Sequence, residues 1–262
     1  MATVDFGSAV KLSWQDAPSG STVSLEVTQP DGTQLLLSPV GAPPEFELAP
    51  TMSGRHFLRW QATGEATEAY TDQLDVWPED PRFLISIDDA KNALNEGGRM
   101  APDLVNDLRL YVAAATPVIE DIVGPVLTTT MEFKCAGDRS AIILPAEPSA
   151  ITAVTLNGTA LAGSEWFTEY GILYAGVRGG GSTFGSGELI VSFTVGRGSV
   201  PPNIRLGTRE LVRHWWQIGK QSSGGAIRGQ EAAAAEFTPS GFAVPRRVIE
   251  LCAPHEQIGG FA

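Results

Sequence analysis

Along residues 1–80 the apolar positions recur at every second residue in short runs. Val10-Lys11-Leu12-Ser13-Trp14, Val23-Ser24-Leu25-Glu26-Val27 and Gln34-Leu35-Leu36-Leu37 are the first three. Phe46-Glu47-Leu48, His56-Phe57-Leu58-Arg59-Trp60 and Leu74-Asp75-Val76-Trp77 follow. Alternate residues of a strand point to opposite faces, so each run predicts a half-buried strand. Turn chemistry separates them. Pro30-Asp31-Gly32 presets φ with its proline and supplies positive φ with its glycine. Pro43-Pro44 cannot continue a ladder. Several short strands at this spacing predict a small β-sandwich.

Trp77-Pro78-Glu79-Asp80-Pro81 predicts a stiff, extended linker, after which the apolar spacing changes to three and four. Ser86 is placed to cap a helix, with Asp89 three residues on and Ile87, Ala90 and Leu94 on one face. Gly97-Gly98 is expected to end it. A second helix begins near Pro102-Asp103 and carries the stripe Leu104, Leu108, Tyr111, Ala115, Ile119 and Ile122. Pro117 interrupts that stripe and predicts a kink or break near Thr116. Residues 126 to about 198 return to strand patterning. Asn157-Gly158 between Ala153-Val154-Thr155-Leu156 and Thr159-Ala160-Leu161 is a hairpin signal, and Glu188–Val195 alternates. The glycine-rich run 178–187 reads as a mobile loop. Asn203 opens a third helix to about Ser222, with Ile204, Leu211, Trp215 and Ile218 on its apolar face. The stretch 223–243 reads as flexible, and Val244–Leu251 as a short closing helix or arm. The expected architecture is α+β in two domains. An all-β sandwich occupies 1–80 and a helical domain 81–222, with a β insert at about 126–198; the flexible segment and C-terminal arm occupy 223–262.

Composition alters this picture in one respect. The chain of 262 residues is ordinary in its 43% hydrophobic and 18% charged residues, but its formal net charge is −12. Residues 1–80 hold twelve Asp and Glu against three Lys and Arg, a net of −9; the remainder holds eighteen against fifteen, a net of −3. Such a balance argues against a basic clamp on nucleic acid. The two cysteines, Cys135 and Cys252, are far apart and make no disulfide framework. The N-terminus lacks the basic and apolar regions of a signal peptide, and no apolar run is long enough to span a membrane. A soluble protein made in the cytoplasm is expected.

Candidate chemistry is sparse. His56, His214 and His255 fall in separate segments with no metal-ligand spacing, and there is no CxxC, GxSxG or phosphate-binding loop motif. Asp88/Asp89 and Glu120/Asp121 are adjacent on expected helices, so their side chains diverge by roughly 100° and read as solvated. No catalytic, cofactor-binding or metal-binding residue is expected, and the protein is read as a non-enzyme. Arg205, Arg209 and Arg213 stand four apart on the third helix, along one stripe. They fit a row facing acidic surface on a neighbouring subunit or phosphate in a channel. The commoner case for such a row is a solvated face with local partners such as Glu210. Trp215-Trp216 reads as core.

Ser53–Gly64 is similar to the late strands of immunoglobulin-like domains, though without their Cys…Trp…Cys spacing. Four further pieces stand in order: Leu84–Leu94, Val118–Gly124, the β insert from Val154-Thr155-Leu156-Asn157-Gly158 to Val195-Gly196, and Val200–Trp216 closed by Val244–Pro254. Through them residues from about 83 to 262 resemble the head–tail connector (adaptor) family of long-tailed bacteriophages. The resemblance implies a structural protein of the virion, a homo-oligomeric ring, commonly a dodecamer, docked beneath the portal protein. DNA passes through the ring without sequence-specific binding, and a stopper or other tail-side neck protein lies on the far side. The C-terminal segment, with Val244, Arg246, Arg247, Ile249 and Leu251, is implied to reach the portal. Two other readings stand beside it: a different neck or tail-completion protein, and a carbohydrate- or surface-binding β-sandwich displaying Trp14, Trp60 or Trp77.

Overall fold

The computed structural model describes residues 2–40, 44–65, 67–94, 100–223 and 243–256. Pro43, Gly97-Gly98 and the part 224–242 of the expected flexible segment lie outside the described residues. The chain divides into two compact units, Met1–Pro81 and Arg82–Ala262.

In the first unit the strands are β1 (Ala2–Asp5), β2 (Val10–Leu12), β3 (Thr22–Thr28), β4 (Gln34–Leu37), β5 (Phe46–Leu48), β6 (Gly54–Thr63) and β7 (Glu68–Trp77). A five-stranded sheet in the order β1-β7-β6-β3-β4 faces a two-stranded one, β2-β5. β3 and β6 show why the chain folds this way. Val23, Leu25 and Val27 on one, and Leu58, Trp60 and Ala62 on the other, are all buried, while their neighbours are less buried or exposed. One slip in register would turn that apolar set to water. Phe46 meets Trp60 edge to face at 5.4 Å, closing the core between the sheets. β1 pairs parallel to β7, a strand the alternation does not announce.

The second unit holds α1 (Ile87–Ala93), α2 (Pro102–Val123), α3 (Pro202–Ser223) and α4 (Arg246–Cys252), with a 3-10 turn at Ala253–His255. Between α2 and α3 lie β8 (Thr129–Ala136), β9 (Ala141–Ile143), β10 (Ala150–Leu156), β11 (Thr159–Ala160), β12 (Trp166–Glu169), β13 (Ile172–Ala175) and β14 (Glu188–Val195). They form a four-stranded sheet, β11-β10-β14-β8, and a three-stranded one, β12-β13-β9. Two cores result. Leu108, Val112, Ile119, Ile204, Leu211, Trp215, Trp216 and Val248 belong to the helical one. Val154, Leu173, Phe184, Leu189, Val191 and Phe193 belong to the one between the sheets.

The fold class differs from the one expected. Among the described residues the chain has fourteen strands in four sheets and four α-helices. It is largely β, built on sandwiched sheets, and is not an α+β chain whose second part is a helical domain bearing a β insert. The reason is physical. Four of the seven strands in the second unit have two to four residues, too few to display a period. The long apolar stripes of α2 and α3 therefore dominate the sequence pattern, while the strands make a core of their own.

α2 runs unbroken through Pro117. Pro117 supplies no N–H to the Ala113 carbonyl, and the Thr116 hydroxyl donates to Val112 O at 3.3 Å within that turn. The glycine-rich run 178–187 is tied down. Phe184 is 4% exposed in the β core, its N–H donates to Arg139 O at 2.9 Å, and the Gly137 N–H donates to Gly187 O at 2.8 Å. The Asn157-Gly158 hairpin is present, both residues having positive φ.

Candidate assembly surface

Ser86 accepts a hydrogen bond from the Asp89 N–H at 3.0 Å, capping α1. That cap fixes Asp89, whose carboxylate meets the Arg205 guanidinium at 2.7 Å. Arg213 is paired with Glu210 at 2.6 Å on its own helix. Arg209, between them, is half-buried and has no charged partner among the described residues. The row of three arginines thus divides: among the described residues, two have counter-charges and one does not.

Gly207 makes room for α4 on α3. A Cβ at that position would lie 3.2 Å from Cys252 Sγ and 3.8 Å from Val248 Cγ1. Val248 and Cys252 are buried there, and burial pushes the Cys252 thiol pKa up. With that side turned inward, the residues expected on the arm separate by exposure. Arg246 and Arg247 are exposed, Ile249 is 47% exposed, and Val244 and Leu251 are half-buried. Arg246 donates to Glu250 at 3.0 Å. A groove of about 180 Å³ separates α3 from α4, with Arg213, His214, Gln217 and Arg247 among its lining residues.

A larger cleft of about 720 Å³ lies near the end of α2, lined in part by Pro125, Ile143, Pro145, Tyr170, Arg197 and His255. Arg197 donates to the carbonyls of Val123 and His255, at 2.5 and 2.6 Å. One guanidinium therefore caps the C-terminus of α2, where backbone carbonyls lack helical partners, and holds the C-terminal turn beside it. No local pattern marks this residue, because its partners are backbone atoms 74 and 58 residues away.

The other singled-out residues disperse. His56 is fully buried in the first unit, with Nδ1 3.2 Å from Gly54 O. His214 and His255 line the two different clefts. Trp60 is core, 3% exposed, so it is no part of a platform, whereas Trp14 stacks on Tyr70 at 6.0 Å. Trp215 and Trp216 are buried, and Trp216 meets Tyr111 edge to face at 5.5 Å. Asp88 pairs with Lys91 at 3.5 Å. Glu120 is a structural carboxylate. Its Oε1 accepts the N–H groups of Val126 and Leu127 at 2.9 and 3.0 Å, and its Oε2 lies 3.3 Å from Arg82.

No known family model matches the chain, and no curated protein matches it. Among solved structures it is similar to the Bacteroides ovatus SGBP-B of a mixed-linkage glucan utilization locus, in complex with a mixed-linkage heptasaccharide. The identity is 12% and the TM-score 0.25, over 72% of this chain and 42% of that one. It is also similar to the complex of Dpr2 Ig1-Ig2 with DIP-Theta Ig1-Ig3, at 12% identity and a TM-score of 0.18, over 75% and 51%. The chain spans about half the length of these structures or less. Likenesses at such scores bear on neither its fold nor its function.

Proposed function

We propose that this protein is a structural component of a tailed-phage virion, a head-to-tail adaptor whose copies form a ring between the portal protein and the tail-side neck proteins. DNA would pass through that ring without sequence-specific contact. The observation that carries the reading is the outward side of α3 and α4. Val248 and Cys252 anchor α4 over Gly207, while Arg246, Arg247 and Ile249 stay outside, beside the groove that holds Arg213. An arginine-bearing surface with exposed apolar residues among the cations is suited to protein contact, since guanidinium groups bind carboxylates in fixed geometry and stack on aromatic rings. The order of sequence pieces from Leu84 to Pro254 supports the same reading.

The test is co-expression of the full chain with candidate portal proteins, followed by imaging of the product. Rings joined to a portal are expected, and deletion of 244–262 should abolish the joining. A chain that remains single with every portal overturns the proposal. So does a truncated chain that joins as well as the intact one.

A further inference from the structure

On β7, Glu68, Tyr70 and Asp72 occupy alternate positions on the same face as buried Leu74 and Val76. Farther along the strand that face is core. At this end it lies open: Glu68 is exposed and Tyr70 is 46% exposed. Trp14, from the loop after β2, stacks on the Tyr70 ring with an interplanar angle of 27°. Asp16 is in the same loop and exposed. Across the next turn, a Cβ on Gly20 would lie 3.0 Å from Glu65 Oε2, so the 16–20 loop and the β6–β7 turn adjoin. Asp16, Glu65, Glu68 and Asp72 have no cationic side chain paired with them among the described residues. The aromatic pair thus shares its strand face with Glu68 and Asp72 and its loop with Asp16, and Glu65 lies in the turn that adjoins that loop, in the part of the sequence that carries a net of −9.

This chemistry fits a guanidinium. Carboxylates supply the counter-charge and acceptors, and an electron-rich ring face supplies cation–π attraction. The same chain carries a cation that has no such partner among the described residues. Arg209 is half-buried between Arg205 and Arg213, both already paired. Leu206, 40% exposed on the same helix, adds apolar surface nearby.

We propose that the acidic–aromatic strip of one copy receives the Arg209 region of α3 from a second copy, as a contact between different surfaces of identical chains. The inference deepens the adaptor reading, resting on its ring of identical copies, and names two surfaces that meet in that ring. A contact between two unlike patches leaves one copy with its strip free and the other with its Arg209 region free. It therefore propagates until a ring closes or a filament grows.

Sedimentation velocity of the full chain across a salt series tests it. The wild-type chain should self-associate at low salt and dissociate as salt rises. Arg209→Glu and Glu68→Arg should each weaken association by about tenfold, and the two changes combined should restore most of it. Circular dichroism should be unchanged in all three. A wild-type chain that stays monomeric at low salt overturns the inference, as do single variants that associate normally or a combined variant that fails to recover. So does a coupling between the two sites that is independent of protein concentration, because it would lie within one chain. Normal portal-bound rings from both single variants would sink this contact and leave the adaptor reading standing. Salt-sensitive self-association with no portal binding would do the reverse.

Discussion

Glu120 shows how much one side chain can hold. Its carboxylate accepts two consecutive backbone N–H groups where the chain leaves α2 and faces Arg82, with 18% of the side chain exposed. Hydrogen bonds to a charged acceptor contribute more than neutral ones, and unpairing two backbone donors adds to the loss. Glu120→Ala should therefore lower stability by roughly 2–3 kcal/mol, read as a shift in the urea midpoint. Glu120→Gln, which keeps an acceptor, should lose less; equal losses would mean that charge alone matters. The thiols make a second contrast. Burial raises the pKa of both, with Arg139 opposing the shift at Cys135. Thiolate is the reactive form, so a neutral-pH alkylating reagent should label half-buried Cys135 first. Labelling of Cys252 should follow the rate of local opening, and equal labelling rates in the folded chain would contradict its packing.

At the scale of elements, α2 and α3 each carry a residue that the helix alone would reject. Pro117 costs α2 a hydrogen bond, a penalty of about 3 kcal/mol in a helix interior, less about 1 kcal/mol regained by restricting the unfolded chain. Pro117→Ala should accordingly stabilise the protein by about 2 kcal/mol, seen as a higher melting temperature. No rise would show that the turn at Thr116 depends on the proline ring. Gly207 in α3 has a different reason, the close approach of Cys252. Gly207→Val should destabilise by about 1–3 kcal/mol through overpacking. Gly207→Ala should sit near neutral, its helical gain offset by crowding, and should turn stabilising in a Cys252→Ala background. A double-mutant cycle with no coupling would remove the α3–α4 contact from the explanation.

For the whole molecule, the division into Met1–Pro81 and Arg82–Ala262 has an energetic basis, because the first unit has a hydrophobic core to itself and the second has two. Each unit should fold alone. Fragments 1–81 and 82–262 are each expected to show cooperative unfolding by calorimetry, and a fragment that melts without a transition would show that its core is incomplete. The uneven charge belongs to this scale too. The acidic residues of the first unit set what its surface attracts.

Much of the protein was legible in the sequence where a pattern was long or chemically specific. The six strand runs of the first unit, the Ser86 cap, the Asn157-Gly158 hairpin and the apolar faces of α2 and α3 all depend on neighbours within a few residues, and periodicity reports such neighbours directly. The candidate surface was legible only as a row of arginines. Which of them are paired depends on Asp89 lying 116 residues from Arg205, and the strip at Trp14 and Tyr70 joins residues 56 positions apart that share no motif. The balance of fold class was likewise decided in three dimensions. Strands of two to four residues become a sheet only when partners far along the chain supply their hydrogen bonds and a common core, so their number and weight emerge from pairing and leave little trace in local order.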